Sequence, residues 1–167
     1  MTNPQSKQQA LLDRAHAVLP AGGFGNLSFD FVVKEGRAGR IWDEAGNEFV
    51  DYLLGSGPML VGHAHPEVNA AVEAQLPYGT TFFATNRRAI ELAEEVVGAV
   101  ACAERVRFVS TGSEATLYAM RLARAYKGRD KVLKFEGGFH GMNDYALMSM
   151  APKREVAYPQ ALPDSPG

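Results

Sequence analysis

The 167-residue sequence has one cysteine, Cys102, and one tryptophan, Trp42. A single thiol cannot close an internal disulfide, so a disulfide scaffold is excluded, and Cys102 reads as a small buried thiol rather than a nucleophile. Long apolar runs are also missing. Nothing approaches the ~20 residues that span a bilayer, and the start Met1-Thr2-Asn3-Pro4-Gln5-Ser6 is polar, unlike a signal peptide. The expected setting is the cytoplasm, with no membrane partner. Neither sign of charge is in excess: 17 basic and 19 acidic residues give a formal net charge of -2, which leaves no basic stripe for nucleic acid. Absent too are the Gly-Lys-Ser/Thr phosphate loop, the Gly-x-Gly-x-x-Gly fingerprint, His-Glu-x-x-His and the Gly-x-Ser-x-Gly elbow. Their absence removes nucleotide-triphosphate, NAD, zinc-protease and acyl-transfer readings.

What is present is a globular composition, 46% hydrophobic and 22% charged, with periodic segments along most of its length. Ala10, Leu11, Ala15, Val18 and Leu19 share one helical face between residues 5 and 19, and Pro20 with Gly22-Gly23 stops them. Residues 31–35, 40–43 and 48–52 read as short strands, the last two joined by the turn Glu44-Ala45-Gly46-Asn47. After the Gly-rich stretch 55–66, Pro66 opens a helix carrying Val68, Ala71, Val72 and Leu76, which Pro77 and Gly79 end. A helix from Arg88, a strand at 105–109, a loop Ser110-Thr111-Gly112-Ser113 that opens a helix through about Tyr126 closed by Gly128, and a strand at 132–135 follow. Helices between strands predict an α/β layer with a parallel sheet. The expected organisation is an N-terminal segment over 1–66 and the first part of a larger α/β domain over 67–167. The tail from Ala151, with four prolines, reads as surface loop.

Two places could carry chemistry. In Phe108-Val109-Ser110-Thr111-Gly112-Ser113-Glu114-Ala115 a strand feeds a helix start with one glycine and three hydroxyls. The free N–H groups of a first helical turn and the positive end of its dipole favour a phosphate there. The same spacing, Thr111-x-x-Glu114, fits a capping box and nothing more. In Lys134-Phe135-Glu136-Gly137-Gly138-Phe139-His140-Gly141 a strand ends in a glycine-flanked loop that displays Phe139 and His140. Such a loop can stack an aromatic ring on a planar ligand, or bury a Phe beside a hydrogen-bonded His. His63-Ala64-His65 has no third ligand at metal spacing and reads as a turn and helix start, so no metal is expected.

Taken together, these segments resemble the N-terminal part of class III, fold-type I pyridoxal-phosphate-dependent aminotransferases, and most of all their glutamate-1-semialdehyde 2,1-aminomutase branch. The resemblance is carried by Trp42-Asp43-Glu44-Ala45-Gly46-Asn47 with Asp51-Tyr52, and by Gly57-Pro58 through Gly62-His63-Ala64-His65-Pro66. It continues in Ser110 through Thr116, Arg121-Leu122-Ala123-Arg124 and Phe135 through Gly141. It implies a partial fold-type I α/β fold with a small β-meander ahead of the large domain. It implies pyridoxal 5'-phosphate as cofactor, its phosphate held by Thr111, Gly112 and Ser113, with Phe139 stacked on the ring and His140 beside it. It also implies a homodimer acting on small-molecule amino donors and acceptors; on the substrate side this sequence departs from the aminomutase pattern, with Ser56 where an aromatic is usual and Phe83 where a small residue is usual.

Members of this family hold the cofactor on a lysine, with an acidic residue on the ring nitrogen, both well beyond the Phe-His-Gly loop. None of Lys7, Lys34, Lys127, Lys131, Lys134 and Lys153 matches that lysine. No catalytic residue is assigned, and the chain reads as an N-terminal fragment that is inactive alone. Other readings stay open: another transaminase or racemase of the class, a non-catalytic product that keeps the phosphate cup, or a generic phosphate-binding α/β domain.

Overall fold

A computed structural model describes residues 3–24 and 29–150. The proline-bearing tail from Ala151 lies outside the described residues. The chain divides into two units, 1–84 and 85–167. The helix opened by Pro66 groups with the strands before it.

In the first unit, helix α1 (Pro4–Val18) starts with proline in its first turn and the Asn3 side chain accepting from the Gln5 N–H at 3.1 Å. Both features suit orphan N–H groups. None of its side chains is buried. It is tied to the sheet by polar contacts: Lys7 Nζ lies 2.6 Å from Glu44 Oε2, and Gln8 donates to Asp43 Oδ2 at 3.2 Å while accepting from the Val32 N–H at 3.4 Å.

Strands β1 (Val33–Arg37), β2 (Arg40–Asp43) and β3 (Glu48–Val50) form an antiparallel sheet in the order β1-β2-β3. β1 lies two residues later than its apolar run suggests. Its ladder is set by the tight turn into β2, which pairs Arg37 with Arg40 and Gly36 with Ile41, with an irregularity between Val33 and Glu35. Pairing to a neighbour, rather than strand propensity, defines strand ends. Phe31, outside the ladder, stacks on Phe49 with ring centroids 4.7 Å apart. The β2–β3 turn is closed by Asp43, 1% exposed. Its carboxylate accepts from the Asn47 N–H at 2.7 Å and the Asn47 side-chain amide at 2.8 Å. Helix α2 (Pro66–Gln75) then runs into a single 3-10 turn that ends at Gly79, whose φ is +88°.

The second unit holds α3 (Arg87–Ala99), capped by the Asn86 side chain on the Ala89 N–H, then α4 (Gly112–Lys127) and the short α5 (Asp144–Leu147). Gly128, at φ +61°, closes α4 with the left-handed residue that glycine adopts without penalty. The segments expected as parallel strands, 105–109 and 132–135, carry no ladder among the described residues. A strand exists only through hydrogen bonds to a neighbour, and neither segment has one there. Apolar burial is sparse: Ala146 is the one buried hydrophobic residue among those described, and Cys102, expected to be buried, is exposed after the end of α3.

Candidate cofactor site

The start of α4 is a capping box. Thr111, in extended conformation, accepts the Glu114 N–H on its Oγ1 at 3.1 Å, and the Glu114 carboxylate reaches back to the Ser110 N–H at 2.7 Å. The cap and the anion site are therefore not alternatives. The box satisfies Ser110 and Glu114, while the N–H groups of Gly112 and Ser113, at the first two helical positions, have no partner among the described residues. Two free N–H groups at the positive end of a 16-residue helix suit an anion.

The Phe139-His140-Gly141 turn lies against this same helical turn. Ser113 Oγ accepts from the Met142 N–H at 2.9 Å, and Thr116 Oγ1 donates to the His140 carbonyl at 2.7 Å. Asn143 Nδ2 approaches Thr116 Oγ1 at 3.4 Å, while Asn143 Oδ1 caps α5 through the Ala146 N–H. Gly141 is buried with φ +101°, and a Cβ there would stand 2.7 Å from Ser113 Cα. Only glycine allows that approach. Because Ser113 Oγ accepts from Met142, its own proton remains to donate, as does that of Thr111. Phe139 is 59% exposed, with ring surface free to take a ligand. A mostly apolar groove of about 510 Å³, lined by Met120, Val132, Phe135 and Tyr145, shares Thr116 and His140 with this cup but not Thr111, Gly112 or Ser113.

Five of the expected site residues, Thr111, Gly112, Ser113, Phe139 and His140, thus fall into one cluster. Ser56 and Phe83 belong to the first unit. Ser56 sits at φ +68° in a run of four left-handed residues, Leu54 to Gly57, and Phe83 is fully exposed. The residues that join the two motifs are Thr116, Met142 and Asn143, and none of them is singled out as a site residue by the sequence pattern. Asn143 ahead of Asp144-Tyr145-Ala146-Leu147 was a legible cap signal; the Thr116 contact had no local signal at all. In the first unit His63 is structural. It exchanges backbone hydrogen bonds with Ala38 at 2.8 and 2.9 Å, and His65 begins α2 without a side-chain cap.

The family model for class III aminotransferases matches residues 24–164. The chain belongs to that family. Glutamate-1-semialdehyde 2,1-aminomutase of Methanococcus maripaludis is 46% identical over 139 residues, 83% of this chain and 32% of that protein. The enzyme of the same name from Methanothermobacter thermautotrophicus is 42% identical over 165 residues, 96% of this chain and 38% of that protein. Among solved structures, an omega-transaminase from Sphaerobacter thermophilus superposes with a TM-score of 0.81 at 35% identity, covering 86% of this chain and 34% of that one. A transaminase solved with PLP bound gives 0.80 at 34% identity, covering 89% and 36%. The class III chain therefore has a partial fold-type I α/β fold and spans about a third of the length of these relatives.

Proposed function

We propose that this chain supplies the phosphate cup and the ring-side loop of a pyridoxal-phosphate enzyme that moves an amino group on a small molecule, as glutamate-1-semialdehyde aminomutase does. The observation that carries the reading is the docking of the Phe139-His140-Gly141 turn onto the first turn of α4 through Ser113 and Thr116. It brings an anion site and an exposed aromatic together, and one ligand with a phosphate and a planar ring uses both. When bound, the cofactor supplies an electron sink for bond breaking next to the amino group.

This chain's own groups bind and orient. The Gly112 and Ser113 N–H groups and the Thr111 and Ser113 hydroxyls donate to the phosphate, and the positive end of α4 holds its charge. Phe139 would stack on the ring of the cofactor, and His140, next to it in the loop, would stand on the same side of the cup. Ser56 and Phe83 shape the side on which the amine binds. No described lysine is proposed as catalytic. Lys7 is paired with Glu44, Lys134 donates toward the Gly138 carbonyl at 3.3 Å, and Lys127 lies over the Tyr126 ring. Exposed Tyr52, Leu60, Tyr126 and Leu133 are apolar surface of the kind a homodimer partner covers.

The test is ligand discrimination. The protein expressed from its natural gene should bind pyridoxal 5'-phosphate more tightly than inorganic phosphate, and Phe139→Ala should narrow the gap by about tenfold, the order of one aromatic contact. Equal affinity for the two ligands, unmoved by Phe139→Ala, would reduce the site to a generic phosphate cup.

A further inference from the structure

We propose that Thr116 is a positioning residue that couples the phosphate side of the cup to its ring side; the inference rests on the cofactor reading above. Thr116 lies one helical turn past Gly112, outside the phosphate-facing positions. Its hydroxyl has one proton to give. Three carbonyls lie in reach, those of Gly112 at 3.2 Å, Ser113 at 3.1 Å and His140 at 2.7 Å. The first two are its own helix's carbonyls, which a helical threonine commonly meets. The third is the shortest and spans 24 residues of sequence.

One of the two lone pairs on the oxygen faces Asn143 Nδ2 at 3.4 Å. Asn143 in turn uses Oδ1 to start α5. The hydroxyl therefore sits in a chain that runs from α4 through Thr116 to the His140 carbonyl on one side and the α5 cap on the other. Ser113 adds a second fastening at Met142, and Gly141 lets the backbones meet. With the loop fastened, the entropy of ordering Phe139 and His140 is spent on folding rather than on binding. A ligand that touches only the helix start gains nothing from this. A ligand that also needs the ring-side loop gains the full difference.

The experiment compares Thr116→Val, which keeps shape and loses the hydroxyl, with Thr116→Ser, which keeps the hydroxyl. Both are made in the protein expressed from its natural gene. Without ligand, amide hydrogen exchange across 139–143 should accelerate about three- to tenfold in the valine variant, the loss of one net hydrogen bond, and stay within twofold of wild type in the serine variant. Affinity for pyridoxal 5'-phosphate should fall about three- to tenfold in the valine variant, with affinity for inorganic phosphate unchanged.

Unchanged exchange in Thr116→Val overturns the proposal. So does an equal loss for both ligands, which would mean that Thr116 acts only through the helix start. A serine variant as impaired as the valine variant overturns it as well, since packing rather than the hydroxyl would then matter. Should valine disrupt folding, Thr116→Ala carries the same comparison. If the wild-type protein shows no preference for pyridoxal phosphate over phosphate, the cofactor reading fails and the coupling with it, while the ligand-free exchange still reports whether the contact holds the loop.

Discussion

Asp51 Oδ2 lies 2.7 Å from His63 Nε2, and the other oxygen of the same carboxylate accepts the N–H groups of Leu53 and Leu54 at 2.8 and 2.9 Å. One side chain thus clamps both ends of the Gly-rich loop. Between them lie Leu54, Gly55, Ser56 and Gly57, all left-handed. Leu54 and Ser56 pay a steric penalty of about 1 kcal/mol each for that conformation, and the clamp holds them in it. Gly36 completes the arrangement, since a Cβ there would stand 2.7 Å from the His63 ring.

Asp51→Ala should destabilise the first unit by about 1–3 kcal/mol, because it leaves partly buried donors unpaired. Asp51→Asn, which keeps an acceptor for Leu53 and Leu54, should lose less than half of that. Chemical denaturation of the two variants against wild type checks the order. An alanine variant as stable as wild type would show that the loop is held elsewhere.

Acid should loosen the first unit through two carboxylates. The hydrogen bond from His63 is the main cause that holds the Asp51 carboxyl below its usual range, helped by the Leu54 N–H. For Asp43, burial works to raise the value, but hydrogen bonds from the Asn47 side chain and N–H, the Gln8 amide and the Ala45 N–H outweigh it, and the net is a lowering. A carboxylate whose folded value lies below its unfolded value stabilises the fold above the unfolded value, about 3.9. That stabilisation is lost as pH falls below it, through the folded value. Stability measured between pH 6 and 2 should therefore decline below about pH 4, and Asp51→Asn should flatten part of the decline. An equal slope in the variant would assign the loss to other groups.

Gly141→Ala should separate the two halves of the proposed cofactor cup. The methyl would stand 2.7 Å from Ser113 Cα, and φ of +101° is strained for any side chain. The turn must move off α4, with loss of the Met142-to-Ser113 hydrogen bond. Expected are a destabilisation of about 2 kcal/mol or more and weakened pyridoxal phosphate binding. Retained affinity in a folded variant would mean that the approach of the turn to Ser113 does not matter for the cofactor.

Thr111→Ala removes the α4 cap at a cost of about 1 kcal/mol and also removes one proposed phosphate donor. Thr111→Ser keeps both. The alanine variant should weaken inorganic phosphate and pyridoxal phosphate by similar factors, in contrast to Thr116→Val, and the serine variant should match wild type. Calorimetric titration with each ligand reads the difference.

Local chemistry made most of the helices legible. Pro4, Pro66, Thr111 and Gly128 act within one turn of the chain, so the bounds of α1, α2 and α4 follow from neighbours in sequence. The turn at 44–47 follows in the same way, since Asp43 and Asn47 close it across four residues. The anion character of residues 111–113 is likewise local, a property of any helix start with free N–H groups.

The placement of β1 was not local, because its ladder depends on the tight turn into β2 and on the position of the partner strand. Nor was the pairing of Asp51 with His63, twelve residues apart, or the meeting of Ser113 and Thr116 with His140 and Met142. Spacing within a segment reports the periodicity of a helix or strand, and it carries no signal for two backbones that approach after a long detour. That approach depends on a glycine with no Cβ at Gly141 and a hydroxyl with one proton at Thr116, and their effect appears when the chain brings them to the same place.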